Sequence, residues 1–235
     1  MSKKYEFTGE TKVNKQGKTL HRIRSLVEFD EVRVGSIGGW IEGEHNLSHD
    51  GKAWVESNAE VFDRAVVRDN ARVTGSAIVC EYAVIHGNAW VHDFSTVKGS
   101  AEIGGTCKTF GWCEIKGQSR LRGNVQVGEE AIISGYISLT GDDVIKGTAR
   151  ISKKDDYSSV RGFGSCGRTT TFFRCSDDMI RVVCGCFYGT IDEFIERVKE
   201  TRIGKVSREY LIIAELMKLH FEGGCQYGIL KQWMY

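Results

Sequence analysis

An aliphatic residue returns at every sixth position between Val55 and Ile151. Seventeen positions fall in this series; sixteen hold Val, Ile or Leu, and the exception is Thr109. The residue two positions earlier is mostly Ala, Ser or Cys, and the residue two positions later is often Gly or an acid. A period of six fits neither an amphipathic helix nor a hairpin array. It is typical of a parallel β-helix, in which three short strands make one coil.

The inside and the corners of such a coil follow from the same pattern. Strand side chains alternate, so the branched residue and the small residue two positions before it both point inward. Gly, Asn and Asp suit the corners, where φ is positive. Successive coils lie about 4.8 Å apart, and the series predicts five to six of them. The inward aliphatic residues of successive coils stack in ladders along each side of the β-helix. Thr109 is predicted either to weaken the ladder that contains it or to form a hydrogen bond with the backbone of a neighbouring coil.

The N-terminal residues 1–34 do not follow the repeat. They are predicted to form a β-hairpin cap, turning near Asn14, that covers the open end of the β-helix at residues 35–154. Ile41 and Leu47 are six residues apart but two residues out of phase with Val55. The first coil is therefore predicted to hold a two-residue insertion.

The periodicity changes again after a polar link at residues 153–156. Strands are predicted at 169–174 and 179–184. Thr190 and Glu193 form a capping box that opens one helix, and Ser207 is predicted to cap a second. The predicted fold is thus mainly β, with a small ββαα domain at residues 155–235.

Composition limits the function classes. The 32 basic and 31 acidic residues nearly balance, which argues against a dedicated nucleic-acid binder. There is no run of eighteen apolar residues and no signal-peptide pattern after Lys4. We therefore expect a cytoplasmic protein with no membrane association.

Eight cysteines raise the question of a metal site. Cys80 is expected to face outward from the coil. Cys184 and Cys186 are closely paired on a predicted strand, but zinc needs two further ligands, for which the candidates are Cys175, Cys225 and His220. Reduced structural cysteines are the preferred interpretation, and no metal or cofactor is predicted.

Outward residues suggest a binding surface on one side of the β-helix. Successive coils present Trp54, Arg72, Trp90 and Lys108 there, which would place Arg72 between two indoles in a cation–π stack. Exposed apolar clusters usually mark a partner surface. The alternative is that a terminal segment of the chain folds over this side.

A glycine-rich run, Gly162-x-Gly164-x-x-Gly167, matches the dinucleotide-binding fingerprint. A strand follows it where that motif requires a helix, so a turn is the simpler interpretation. Arg161 and Arg168 are nevertheless predicted to make an anion-binding loop with Ser165 and Thr169, because guanidinium groups suit phosphate.

The run 29–55, with Gly38-Gly39-Trp40 and Asn46-Leu47-Ser48, resembles the entry segment of bacterial hexapeptide-repeat proteins with a left-handed β-helix. The resemblance covers roughly residues 3–151, in a superfamily that includes trimeric acyltransferases and γ-class carbonic anhydrases. It implies the left hand of the coil. The acyltransferases use one outward His as a general base at a subunit boundary. Only His86 and His92 match that description, and both are otherwise surface residues.

The C-terminal run, from Val160 through Thr169-Thr170-Thr171 to Phe187, is similar to segments of proteins carried by bacteria and their phages. Together the resemblances imply a non-enzymatic binding protein. It would self-associate, with a trimer favoured, and either block a host protein in a defence system or sequester a small anionic, nucleotide-like ligand. The alternatives are an acyl-CoA-dependent acyltransferase and a structural scaffold.

Overall fold

A computed structural model describes residues 3–222 of the chain. The chain divides between Lys153 and Lys154 into two compact units. The first unit is a parallel β-solenoid of about six turns, which confirms the predicted fold class. The hand of the coil stays a prediction. Among the described residues, no helix has the length and apolar character needed to span a membrane.

The solenoid has three faces, each a stack of short parallel strands. Face 1 contains Ile37–Ile41 (β3), Glu60–Val61 (β5), Ile78–Val79 (β8), Thr96–Val97 (β11), Glu114–Ile115 (β14), Ile132–Ile133 (β17) and Arg150–Ile151 (β20). Face 2 contains Trp54–Val55 (β4), Arg72–Val73 (β7), Trp90–Val91 (β10), Lys108–Thr109 (β13), Gln126–Val127 (β16) and Val144–Ile145 (β19). Face 3 contains Val66–Val67 (β6), Val84–Ile85 (β9), Glu102–Ile103 (β12), Arg120–Leu121 (β15) and Ser138–Leu139 (β18).

The aliphatic series forms the interior, as the six-residue period predicts. Each strand ends on a ladder residue that is buried, and the residue before it faces out. Thr109 is fully buried in this interior, and its hydroxyl has no hydrogen-bond partner. Within the described residues the expected bond to a neighbouring coil's backbone is absent, and a locally weakened stack at Thr109 stays a prediction.

The register between coils confirms the predicted insertion. Trp54 pairs with Arg72, an offset of eighteen residues. Ile41 pairs with Val61, an offset of twenty, and Leu47 is likewise bridged to Val67. The two additional residues therefore lie between Leu47 and Trp54.

The predicted N-terminal hairpin is formed by Tyr5–Val13 (β1) and Thr19–Ser25 (β2). It extends face 1, because β2 pairs antiparallel with β3. Leu20 of the hairpin packs with Trp40, Phe62 and Cys80, all on the outer side of face 1. Cys80 is consequently buried, which corrects the expectation that it faces solvent. Outward hydrophobic residues next to ladder positions are thus buried in the part of face 1 that the hairpin covers.

The corners between faces carry a repeated hydrogen bond. Asp69 and Asp93 hold positive φ at their corners. Asp69 Oδ2 accepts from the Gly87 amide at 3.0 Å, and Asp93 Oδ2 accepts from the Gly111 amide at 3.0 Å. Each acceptor lies eighteen residues before its donor, so the carboxylate bonds the next coil. The same contact recurs from Asp63, Glu81 and Glu129 to the amides of Glu81, Gly99 and Gly147.

These corner carboxylates predict an acid-sensitive stability. The backbone hydrogen bond is the main reason that the pKa values of Asp69 and Asp93 lie below the ordinary 3.8. A carboxylate whose pKa is lowered by folding stabilises the protein above its unfolded pKa, and that stabilisation is lost as the pH falls through the folded value. An Asp69→Asn, Asp93→Asn variant should therefore be less stable than the native chain at pH 7, with the difference closing below about pH 4. Urea unfolding at several pH values measures it, with Glu31→Gln as the control. A difference that does not change with pH would contradict the assignment.

The second unit begins with an antiparallel sheet of four strands: Tyr157–Val160 (β21), Thr170–Arg174 (β22), Ile180–Cys184 (β23) and Phe187–Thr190 (β24). Only β22 and β23 were predicted. The helices Ile191–Thr201 (α1) and Gly204–Glu222 (α2) follow. Thr190 and Glu193 form the predicted capping box. The second helix begins at Gly204, three residues before Ser207, so the predicted cap at Ser207 is wrong.

The core of the second unit lies between its sheet and its helices. Phe172 and Val182 of the sheet pack with residues from both helices. The helical residues recur with the 3.6-residue period of an amphipathic helix: Ile191, Phe194, Ile195, Val198, Tyr210, Ile213, Ala214, Met217 and Phe221.

Candidate functional site

Exposed aromatic residues mark two of the three solenoid corners. Phe94 and Trp112 lie at the corner that leads from face 2 to face 1, the 2–1 corner, and are 48% and 66% exposed. Tyr82 and Tyr136 lie at the corner that leads from face 1 to face 3, the 1–3 corner, and are also exposed. The equivalent positions of the 3–2 corner hold Asn70, Asn88, Thr106, Asn124 and Asp142. Face 1 is therefore bordered by aromatic residues on both sides.

Phe94 and Trp112 form a stacked pair. They occupy the same corner position on adjacent coils, since they are eighteen residues apart, and the coil spacing brings their rings together. The ring centroids lie 4.1 Å apart and the planes differ by 3°. The pair is rigid for an exposed feature, which lowers the entropy lost on binding.

A groove of about 770 Å³ runs beside this pair along face 1. Its floor includes Ile78, Thr96 and Ile132, and Lys12 and Gln16 of the hairpin close one end. We call this groove, together with Phe94 and Trp112 at the 2–1 corner and Tyr82 and Tyr136 at the 1–3 corner, the aromatic face. It is built on short strands whose ladder residues are buried, so its floor is held in place by the solenoid interior.

The charges on the floor of the aromatic face are paired. Lys12 Nζ lies 2.8 Å from Glu60 Oε1, and Lys98 Nζ lies 2.6 Å from Glu114 Oε1. Burial alone would raise the pKa of Glu114, but its bonds with Lys98 and Lys116 outweigh burial and lower it. These four side chains are neutralised within the chain. Lys15, Glu130 and Arg150 also line the groove, so a partner would meet charged as well as aromatic contacts.

The predicted column on face 2 is present, but its members differ in exposure. Trp54, Arg72, Trp90 and Lys108 pair in that order on adjacent strands. Trp54 is 1% exposed, because Phe29 and Tyr5 pack edge-on against it. For Trp54 the alternative holds, in which a terminal segment covers this side.

Arg72 is held by carboxylates at its edge of face 2. Its guanidinium lies 3.7 Å from Glu56 and 3.9 Å from Asp30. Trp90 is 41% exposed, and the cation above its ring is Lys108, 5.8 Å from the centroid. Trp90 Nε1 donates to Thr74 Oγ1 at 3.0 Å. Trp90 therefore remains available to a partner, at the side of face 2 next to the 2–1 corner.

The two candidate histidines are engaged in different ways. His86 Nε2 lies 3.1 Å from Glu102 Oε1, and its ring covers Gly104, where a Cβ would collide with it. His92 lies between Trp90 and Phe110, with its Nδ1 3.1 Å from Asp93 Oδ1. Both side chains are fixed by neighbours in their own chain.

The cysteines do not assemble a metal site among residues 3–222. Cys184 ends β23, whereas Cys186 lies in the two-residue turn before β24, so the two are not on one continuous strand as predicted. Cys175 is buried. Cys225 lies outside the described residues.

The predicted anion loop connects β21 to β22. Gly162, Gly164 and Gly167 all have positive φ, so the run is a turn. Arg161 and Arg168 are exposed, and Arg168 lines a cleft in the second unit, together with Ser165. The Gly164 amide donates to Glu209 Oε2 of α2 at 3.1 Å.

Sequence reasoning missed the corner aromatics. The prediction considered only the residue before each ladder position. Phe94 and Trp112 instead lie three residues after the ladder positions Val91 and Thr109. The eighteen-residue interval between them was the available indication, because any two residues so separated stack on adjacent coils. No protein-family model and no curated protein matches this chain.

Proposed function

We propose that this protein is a non-enzymatic binding protein that self-associates through its aromatic face. The observation that carries this proposal is the confinement of exposed corner aromatics to the two corners that border face 1. The solenoid fold itself does not require Phe94 and Trp112 at one corner, because the equivalent positions of the 3–2 corner are hydrophilic. Large exposed apolar patches mark interaction sites.

The arrangement favours a closed ring of copies. The two borders of face 1 differ in sequence, so contact between the 2–1 corner of one copy and the 1–3 corner of the next is heterologous. Heterologous contacts form rings when the rotation closes. We propose a ring of three copies, the number that the resemblance to trimeric hexapeptide-repeat proteins implies.

The aromatic side chains supply part of such an interface. At each contact one copy presents Phe94 and Trp112 and the next presents Tyr82 and Tyr136, and all four are between 48% and 75% exposed. Standard interfaces bury about 800 Å² per partner.

A Phe94→Ser, Trp112→Ser double variant tests this proposal. Both side chains are exposed, so the fold should persist while the assembly dissociates to single chains in sedimentation velocity. The control is Asn88→Ala, Asn124→Ala at the 3–2 corner, which should leave the assembly intact. An assembly that survives the aromatic double variant, or one that dissociates equally in the control, would rule out the aromatic face as the interface.

A further inference from the structure

The second unit contains an open cleft of about 1000 Å³ that the proposed function does not use. Its walls come from the glycine-rich loop, the turn between β23 and β24, and helix α1. Arg168, Arg197 and Arg202 line it, together with four acidic residues: Asp192, Glu193, Glu196 and Glu200.

Each of those acidic residues already has a partner. Asp192 is paired with Lys218 at 2.8 Å, and Glu196 with Lys199 at 2.7 Å. Glu193 Oε2 accepts from the Thr190 amide at 2.7 Å, which is the main reason that its pKa is lowered. Glu200 lies 4.0 Å from Arg197. The carboxylates are therefore committed within the chain.

Within residues 3–222, two of the three arginines have no carboxylate partner. In that range Arg168 forms no ion pair, and Arg202 donates to the neighbouring Thr201 carbonyl at 3.4 Å. When Lys199 and Lys218 are counted with the lining residues, five cations face four carboxylates, an excess of one positive charge. Guanidinium groups bind phosphate and carboxylate through paired N–H bonds.

The rest of the cleft offers a ring-binding wall and a hydroxyl. Phe187 lines it and packs on the core residue Phe194, with their centroids 5.4 Å apart. Tyr210 also lines it; burial raises the pKa of its phenol to about 12, and its hydroxyl accepts from Cys184 Sγ at 3.8 Å. That hydroxyl lies against Gly164, where any side chain would collide with it. Gly164 thus fixes both the loop and the phenol at the edge of the cleft.

From this geometry we propose that the cleft binds a small phosphorylated ligand with a planar ring, of the nucleoside phosphate class. Arg168 and Arg202 hold the phosphate, and the ring packs against the wall that contains Phe187 and Phe194. The Tyr210 hydroxyl and Ser165 supply hydrogen bonds. This site is independent of self-association, because every residue in it belongs to the second unit.

Fluorescence anisotropy of the full chain with an N-methylanthraniloyl-labelled adenosine nucleotide tests the proposal. We expect saturable binding that an Arg168→Gln, Arg202→Gln variant weakens by more than about tenfold, because it removes the charge-assisted contacts. The control Arg33→Gln, in the solenoid, should bind like the native chain. Thermal unfolding of each variant shows whether the fold is retained. No saturable binding, or equal binding by the double variant at an unchanged unfolding midpoint, would overturn the site.

Two competitors separate the two halves of the ligand. Unlabelled nucleotide should displace the probe at lower concentration than either inorganic phosphate or adenosine. If inorganic phosphate competes as well as the nucleotide, the ring wall contributes nothing and the ligand class is wrong. If adenosine competes as well as the nucleotide, the arginines are not the phosphate site.

Discussion

Replacement of Trp54 by alanine is expected to lower the free energy of unfolding by about 3–5 kcal/mol. Its indole is buried between the first coil and the N-terminal segment, with Phe29 and Tyr5 edge-on to it. Gly38 lies so close that a Cβ there would come within 2.7 Å of the ring. The cavity left by alanine has no neighbour that is free to fill it.

Trp90→Ala is the matched comparison. Trp90 occupies the same outward position two coils later but is 41% exposed, so we expect its loss to cost less than about 1 kcal/mol. Urea unfolding followed by circular dichroism measures both variants. Similar costs for the two tryptophans would contradict the division between a structural Trp54 and an available Trp90.

The glycines of the 1–3 corner predict a second large effect. Gly117 has φ of +72°, and a Cβ there would lie 2.7 Å from the Gly135 amide nitrogen on the next coil. Gly141, at the 3–2 corner, has the same φ but nothing within 4 Å. Gly117→Ala combines backbone strain with a clash between coils and should cost about 2–4 kcal/mol. Gly141→Ala carries the strain alone and should cost about 1–2 kcal/mol.

An aspartate at the same position separates the clash from the hydrogen bond. Asp63 and Glu81 occupy this corner on earlier coils with positive φ, and each carboxylate accepts the amide of the next coil. Gly117→Asp should therefore be less destabilised than Gly117→Ala. Chemical denaturation ranks the variants. An alanine variant as stable as the aspartate variant would mean that the corner hydrogen bond contributes little.

The solenoid was predictable because its period is local and exact in the sequence. Six-residue spacing fixes the strands, and the phase shift at Leu47 fixes the insertion, since one ladder cannot hold both phases. The helical faces were equally readable. Ile191, Phe194, Ile195 and Val198 follow the 3.6-residue period and are the residues buried in α1.

What the sequence did not reveal depends on contacts between distant segments. Trp54 and Cys80 have the pattern of outward residues, and only the path of the N-terminal segment buries them. Strands β21 and β24 are four residues each, too short for a distinct alternation. The cleft of the second unit joins a loop, a turn and a helix that are separate in sequence, so no local pattern indicated that Arg202 lines it.

Native mass spectrometry of the purified full-length chain tests the central proposal most directly. We expect a species of three chain masses that dissociates to one chain mass in the Phe94→Ser, Trp112→Ser variant. A native chain that remains at one chain mass across a concentration series would contradict self-association through the aromatic face.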